Sequence, residues 1–409
     1  MTAPAVLDAP LRAPSKVRTR RGLLGHSPAL DGLRGIALVL VLVYHFMGVN
    51  GPLPGGWCGV DVFFVLSGFL ITALILDEKR LHGRLAVRRF YARRALRLMP
   101  ALVFMLVVWS LLLLAFHDST WIAATPNNGK RGGPVDVVPA LEHVALVMTY
   151  GINWLHALSH GMAPLGHLWS LAVEEQFYLV WPATLLLLMR LPAAKRVWPV
   201  LTLAAGSAVL PFFLYDGGAG KNRIYFGTDT RAVGLLLGAA AALIWHRRRA
   251  RGVATKLPAV RAWAGVAFVA AVASYLANLP VKFLVAPALL GLAVAQIVPY
   301  LVDHPTSLLA RALQPRWLVW IGKRSYGLYL WHYLWATWTH PLPLYYGMPL
   351  GVAGALACTA ISWRYVETPC LRLAMRFRPA SSVRRQELPA THGAFRAAPA
   401  STRAESLAG

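Results

Sequence analysis

Apolar runs of membrane-spanning length recur along nearly the whole of this chain, separated by short basic loops. A helix needs about 20 predominantly apolar residues to cross the hydrocarbon core of a bilayer. Stretches such as Ile36 to Tyr44, Val60 to Leu76 and Trp198 to Tyr215 lie inside segments of that size. Hydrophobic residues make up 57% of the sequence and charged ones 14%, against roughly 45 to 50% apolar in a soluble domain. The expected fold is all-α and integral to the membrane, a polytopic bundle of about ten transmembrane helices. The expected spans are 30–48, 58–77, 98–116, 166–189, 197–215, 227–245, 261–279, 283–302, 317–338 and 346–366.

A net charge of +25 does not indicate nucleic acid, because the Lys and Arg residues fall between apolar spans and form no continuous patch. They concentrate in alternate loops, the pattern by which a polytopic protein records its orientation, since short cytoplasmic loops hold the excess. Both termini are therefore expected in the cytoplasm. The expected organisation is a basic tail over 1–28, a membrane domain over 29–370 and a disordered cytoplasmic tail over 371–409, rich in Ala, Pro, Ser, Thr and Arg. Val137 to Tyr150 is apolar but short and contains Glu142 and His143, so it is expected to lie re-entrant or interfacial. Cys58, Cys358 and Cys370 have neither CxxC nor Cys/His ligand spacing, so neither a disulfide framework nor a metal site is expected.

Ionisable side chains inside apolar spans are costly and mark candidate functional positions. In LDGLRGIALVLVLVYHF, Arg34 and His45 are eleven residues apart, which returns to within roughly 20° of one helix face with an axial separation of about 16 Å. Arg34 then lies near the cytoplasmic surface and His45 toward the outer half. A snorkelling cation and an interhelical hydrogen bond are the structural alternatives; an imidazole is also the side chain suited to take a proton from a hydroxyl. The cluster RRFYARRALRLMP places Arg94 and Arg97 three apart on one face of a helix. Such a cluster serves as a topology signal and lipid-phosphate contact, or as a bidentate site for phosphates.

The segment GHLWSLAVEEQFYLVWP sets His167 near the outer surface and the adjacent Glu174 and Glu175 roughly 10 Å deeper. These carboxylates can pair within the bundle, or orient a histidine or arginine. Asp61, Asp229, Arg231 and His332 fall at similar outer depths on separate helices, whereas Lys323 and Arg324 sit at a cytoplasmic helix end. Ser67 and Ser170 are read as small packing residues. No GxSxG, P-loop, HExxH or GxGxxG motif is present, which disfavours a serine hydrolase or an ATP-driven pump.

Together these blocks resemble the acyltransferase-3 family of membrane enzymes that O-acylate bacterial surface polysaccharides, other glycans and macrolides. The resemblance rests on LDGLRGIALVLVLVYH at 30–45, GVDVFFVLSGFLIT at 59–72, FYARRALRLMPAL at 90–102, HLWSLAVEEQFYLVWP at 167–182 and IGKRSYGLYLWHYL at 321–334. It implies transfer of an acyl group, acetyl or another short chain, from cytoplasmic acyl-coenzyme A to a hydroxyl of a carbohydrate or glycosylated acceptor. It carries the Arg-x10-His motif onto Arg34 and His45, and the Arg-x-x-Arg motif onto Arg94 and Arg97. Many relatives append an SGNH domain, so this chain is expected to be a stand-alone membrane form. The expected mechanism has Arg34, Arg94 and Arg97 bind the donor phosphates while His45 acts as base, oriented by Glu174 or Asp61. His167 is counted with His45, Glu174 and Asp61 among the catalytic candidates, and Glu175, Arg231, His332, Lys323 and Arg324 are further polar candidates. A transporter or flippase for a lipid-linked glycan is the competing reading.

Overall fold

The computed structural model describes residues 22–48, 50–116, 137–158, 165–216, 220–254, 258–275 and 282–377. Among them the chain runs through α1 (Pro28–Met47), α2 (Cys58–His82), α3 (Val87–Phe116), α4 (Val137–Met148), α5 (Ile152–Leu158), a 3-10 turn at Gly166–Leu168 and α6 (Trp169–Leu188). It continues through α7 (Val197–Leu214), α8 (Lys221–Phe226), α9 (Thr228–Ala250), α10 (Ala259–Tyr275), α11 (Lys282–Asp303), α12 (Leu308–Ala312) and α13 (Arg316–Lys323). Last come α14 (Ser325–Thr339), α15 (Leu344–Ser362), a π-helical turn at Trp363–Glu367 and α16 (Thr368–Met375). No strand occurs among the described residues.

Eight helical segments are long and apolar enough to cross a membrane, so the chain is an all-α polytopic membrane protein. The expected number was about ten, and the difference lies in two segments. The expected span at 261–279 is helical only over the 17 residues of α10. The expected span at 317–338 is two helices that meet at Arg324, whose backbone (φ −104°, ψ 9°) leaves the α-helical well. The short α4 is too short to cross by itself. The expected domain boundary at 370 falls inside α16, while residues 1–21 and 378–409 of the expected tails lie outside the described residues.

Packing follows the distribution of apolar and small residues. On α3, Val103, Val107, Leu111 and Leu114 are exposed at helical spacing, which gives that helix a lipid-facing stripe. Conversely α2 is buried nearly all round against α1, α9 and α11. Gly68 on α2 and Gly238 on α9 make this intimacy possible: a methyl group on Gly68 would strike the Leu235 carbonyl, and one on Gly238 the Val65 carbonyl. Small residues allow such backbone approach where lipid supplies no hydrophobic drive for helix association.

A second backbone-to-backbone crossing joins α1 to α13. A Cβ at Gly322 would overlap the Asp31 carbonyl, and one at Gly35 the Leu318 carbonyl. Since neither neighbour is a flexible side-chain end, Gly322→Val should separate the two helices and sharply lower the yield of monodisperse protein in fluorescence-detected size-exclusion chromatography. A wild-type elution profile would show that this crossing tolerates expansion.

Candidate active site

The C-terminal half of α1, the turn before α6 and the middle of α14 bring three histidines together. The ring centroids of His45 and His332 are 5.1 Å apart, those of His332 and His167 5.8 Å apart. Tyr333 completes the cluster, edge-on to His45 at 5.2 Å and stacked on His167 at 4.8 Å. The 3-10 turn before α6 delivers His167, and Ser170 one turn later shares a 2.6 Å hydrogen bond with the Tyr329 hydroxyl. Tyr329 donates its hydroxyl hydrogen to the His167 carbonyl at 2.7 Å.

Backbone carbonyls set the ring orientations. His45 Nδ1 lies 2.9 Å from the Val41 carbonyl and 3.3 Å from His332 Nε2. His332 Nδ1 lies 2.7 Å from the Tyr329 carbonyl, and His167 Nε2 is 3.1 Å from the Leu330 carbonyl. A carbonyl oxygen only accepts, so each of these ring nitrogens carries the hydrogen. His45 Nε2 is then the unprotonated nitrogen, and it has no hydrogen-bond partner among the described residues.

At the opposite end of α1, three arginines gather. Arg94 forks onto Glu175, with Nη2 at 2.7 Å and Nε at 3.3 Å, and its guanidinium lies 3.1 Å over the Tyr178 ring. Arg97, one turn further along α3, is in electrostatic range of Arg34, Arg94 and Asp31. Neither Arg34 nor Arg97 forms an ion pair among the described residues. Arg34 Nε is also buried without a hydrogen-bond acceptor. Two guanidiniums that lack a carboxylate, steadied beside a third that has one, fit a bound anion. Between the arginines and the histidines sits Glu174, which accepts a 2.9 Å hydrogen bond from Ser67 and feels the charges of Arg94 and Arg34.

Neither carboxylate expected to orient His45 bonds to it. Glu174 is held by Ser67, and Asp61 pairs with Arg231 at 2.9 Å. The Asp61 and Arg231 side chains are each 1% exposed, and Phe64, Trp169 and Tyr225 surround the guanidinium with centroids 5.2 to 5.8 Å away. That pair bridges α2 and α9. Lys323 is exposed and Arg324 packs between the rings of Trp320 and Trp363, at 4.3 and 5.0 Å. Buried Glu367 feels Arg97 and Arg324 together.

Sequence reading did not single out Tyr329, Tyr333 or Tyr178. Their signal was available in retrospect: SYGLYLWHY puts Tyr329 and Tyr333 four apart, hence on one helix face with His332 between them. It also missed Asn153 and Gln176, whose amides join α5, α6 and α9 through Thr228.

The family model described as an acyltransferase domain matches residues 27–364. The peptidoglycan O-acetyltransferase OatA of Listeria monocytogenes is 36% identical over 368 residues, which is 86% of this chain and 57% of that protein. A putative peptidoglycan O-acetyltransferase, YrhL, of Bacillus subtilis is 35% identical over 366 residues, 84% of this chain and 54% of the relative. A putative O-acetyltransferase of Staphylococcus aureus is 30% identical over 383 residues, covering 86% and 58%. The chain thus spans somewhat more than half the length of these curated relatives. No solved structure matches it. A match over this extent, on the motifs that carry the histidine and arginine clusters, means that the chain belongs to the acyltransferase-3 family.

Proposed function

We propose that this protein transfers an acyl group, most simply acetyl, from acyl-coenzyme A to a hydroxyl of an envelope glycan. The observation that carries the reading is the pairing of an unblocked His45 Nε2 with anion-ready Arg34 on the same helix, about 16 Å apart along the axis. The names of the relatives point to peptidoglycan as the acceptor class, and the concentration of Lys and Arg in alternate loops favours both termini in the cytoplasm.

In this reading Arg34 and Arg97, with Arg94 beside them, hold the donor phosphates at the basic end. The thioester extends toward the histidines. His45 Nε2 takes the proton of the acceptor hydroxyl as its oxygen attacks the thioester carbonyl; the C–O bond forms, the C–S bond breaks, and the thiolate recovers the proton from His45. General-base assistance of this kind contributes about 100- to 10,000-fold. Ser67 and Glu174 lie between the two ends, where they line the route of the thioester arm.

The testing experiment is mass spectrometry of cell-wall glycans and secreted metabolites from a deletion strain complemented with wild type or His45→Ala. An acetyl-sized mass on the glycan with wild type alone supports the reaction class. No acyl mass with either, while a lipid-linked glycan accumulates on the cytoplasmic side of the deletion strain, would replace this reading with a flippase. On the donor side, Arg97→Gln should raise the KM for acetyl-coenzyme A about tenfold with kcat little changed. That is the loss of roughly one charge-assisted hydrogen bond; an unchanged KM would remove Arg97 from the donor site.

A further inference from the structure

His45 lacks the carboxylate that usually steadies a catalytic histidine, and what stands in that place is a second histidine. His332 is fully buried, and its own protonation is dictated from the far side. Its Nδ1 must carry hydrogen to donate to the Tyr329 carbonyl at 2.7 Å, so in the neutral ring Nε2 presents a lone pair. That lone pair lies 3.3 Å from His45 Nδ1, which carries hydrogen because it also faces the Val41 carbonyl at 2.9 Å. The two rings therefore have one consistent neutral assignment: the His45 Nδ1–H is shared between Val41 and His332, and His45 Nε2 is left free.

Among the described residues, the rings packed around the pair supply no counter-ion. His45 is flanked by Tyr44, Tyr333 and His332, and His332 by His167, Tyr329 and Tyr333. His167 uses its Nε2–H on the Leu330 carbonyl, and among the described residues no carboxylate hydrogen-bonds to any of the three histidines. When His45 takes a proton, the resulting imidazolium has two lone-pair acceptors at Nδ1 and nothing else to answer its charge.

We infer that His332 is the positioning residue of His45, a neutral imidazole doing for it what a carboxylate does in an acid–base dyad. Its Nε2 holds the His45 ring so that Nε2 of His45 faces the acceptor hydroxyl, and it shares the positive charge through the Nδ1–H hydrogen bond. No proton passes on to His332. Its Nδ1–H ends on a backbone carbonyl, and a second proton would place a cation beside His167 in a buried cluster. This assignment rests on the reading of His45 as the base.

Two substitutions in the full-length protein separate the possibilities, assayed by thiol release from acetyl-coenzyme A with a glycan acceptor. His332→Phe keeps a ring but offers no acceptor; His332→Gln offers an amide oxygen. His332→Phe should lower kcat about 100-fold, the scale on which a loosened general base loses its advantage, with the KM for acetyl-coenzyme A within about twofold. His332→Gln should recover about tenfold of that loss. In nitrogen-15 NMR of histidine-labelled wild type, His45 should appear as the Nδ1–H form, and in His332→Phe as a tautomer mixture. Equal losses in Phe and Gln variants with the same elution profile as wild type would overturn the inference, since a space-filling role needs no acceptor. An unimpaired His332→Phe beside an inactive His45→Ala would overturn it too and leave His45 as base. If His45→Ala were itself active, the failure would lie with the proposed function. Should His332→Phe not fold, the Gln variant and the wild-type tautomer decide, because a wild-type His45 that is Nε2–H contradicts the assignment outright.

Discussion

His45→Ala should lose at least about 100-fold in turnover and up to 10,000-fold, the range that a positioned base contributes, with the protein folded as wild type. The second half of that statement is as important as the first. His45 is only half-buried and sits in the last turn of α1; its contacts are the carbonyl of its own helix, one 3.3 Å hydrogen bond to His332 and the edges of three rings. Removing it deletes no interhelical salt bridge and leaves no buried charge. Turnover measured as thiol release, beside size-exclusion elution and thermal unfolding in detergent, separates the two effects. A variant with normal elution and normal turnover would make His45 a structural residue and overturn the mechanism.

The opposite profile is expected at Asp61. Its carboxylate and the Arg231 guanidinium are sealed between α2 and α9, about two helical turns from Gly68 and Gly238, where those helices touch. Asp61→Ala would strand a guanidinium in an aromatic box, at a cost of about 3 to 5 kcal/mol, as for other buried ion pairs broken from one side. The pair already leaves Asp61 Oδ2 and Arg231 Nε and Nη1 without hydrogen-bond partners, so it is an imperfect solution to begin with. Replacing both partners by apolar residues, Asp61→Leu with Arg231→Met, should recover most of the lost stability, because a packed apolar pair incurs no desolvation penalty. Thermal unfolding in detergent provides the comparison. A double variant as unstable as Asp61→Ala would mean that the pair is held by something other than mutual charge, such as a bound polar ligand.

Much of the fold was legible because lipid imposes so simple a rule. Eight segments were identified by apolar length alone, and most of their ends shift by only a few residues; the exceptions are those whose apolar count understates the helix. The third helix begins at Val87 and not near 98, since its basic first turns carry no hydropathy signal yet are helical. The break at Arg324 was hidden for the reverse reason: the apolar runs Trp317 to Ile321 and Leu328 to Leu334 on either side of it read as one span, and the interruption accompanies the crossing of Gly322 with α1, a contact 291 residues distant in sequence between Asp31 and Gly322. At the site, helical periodicity put Arg34 and His45 on one stripe, and that needed no partner. Which carboxylate or ring would meet His45 depended on how separate helices pack. The sequence offered Glu174 and Asp61 for that place, and only tertiary geometry brings His332 to His45 instead.

The glycine crossing of α1 and α13 has a mechanical side. Beyond it, α1 carries His45 and the chain continuing from α13 through Arg324 carries His332. The separation of the two rings is thus set at a joint near the basic end of the bundle, as the gap at the tips of a pair of tongs is set at the pivot. A small angular change there is multiplied along the roughly 16 Å from Arg34 to His45, and a 1 Å error at reacting atoms can cost on the order of 100-fold in rate. Second-site changes that restore activity to a misaligned His45 should therefore collect in α13, among residues that touch neither substrate nor histidine.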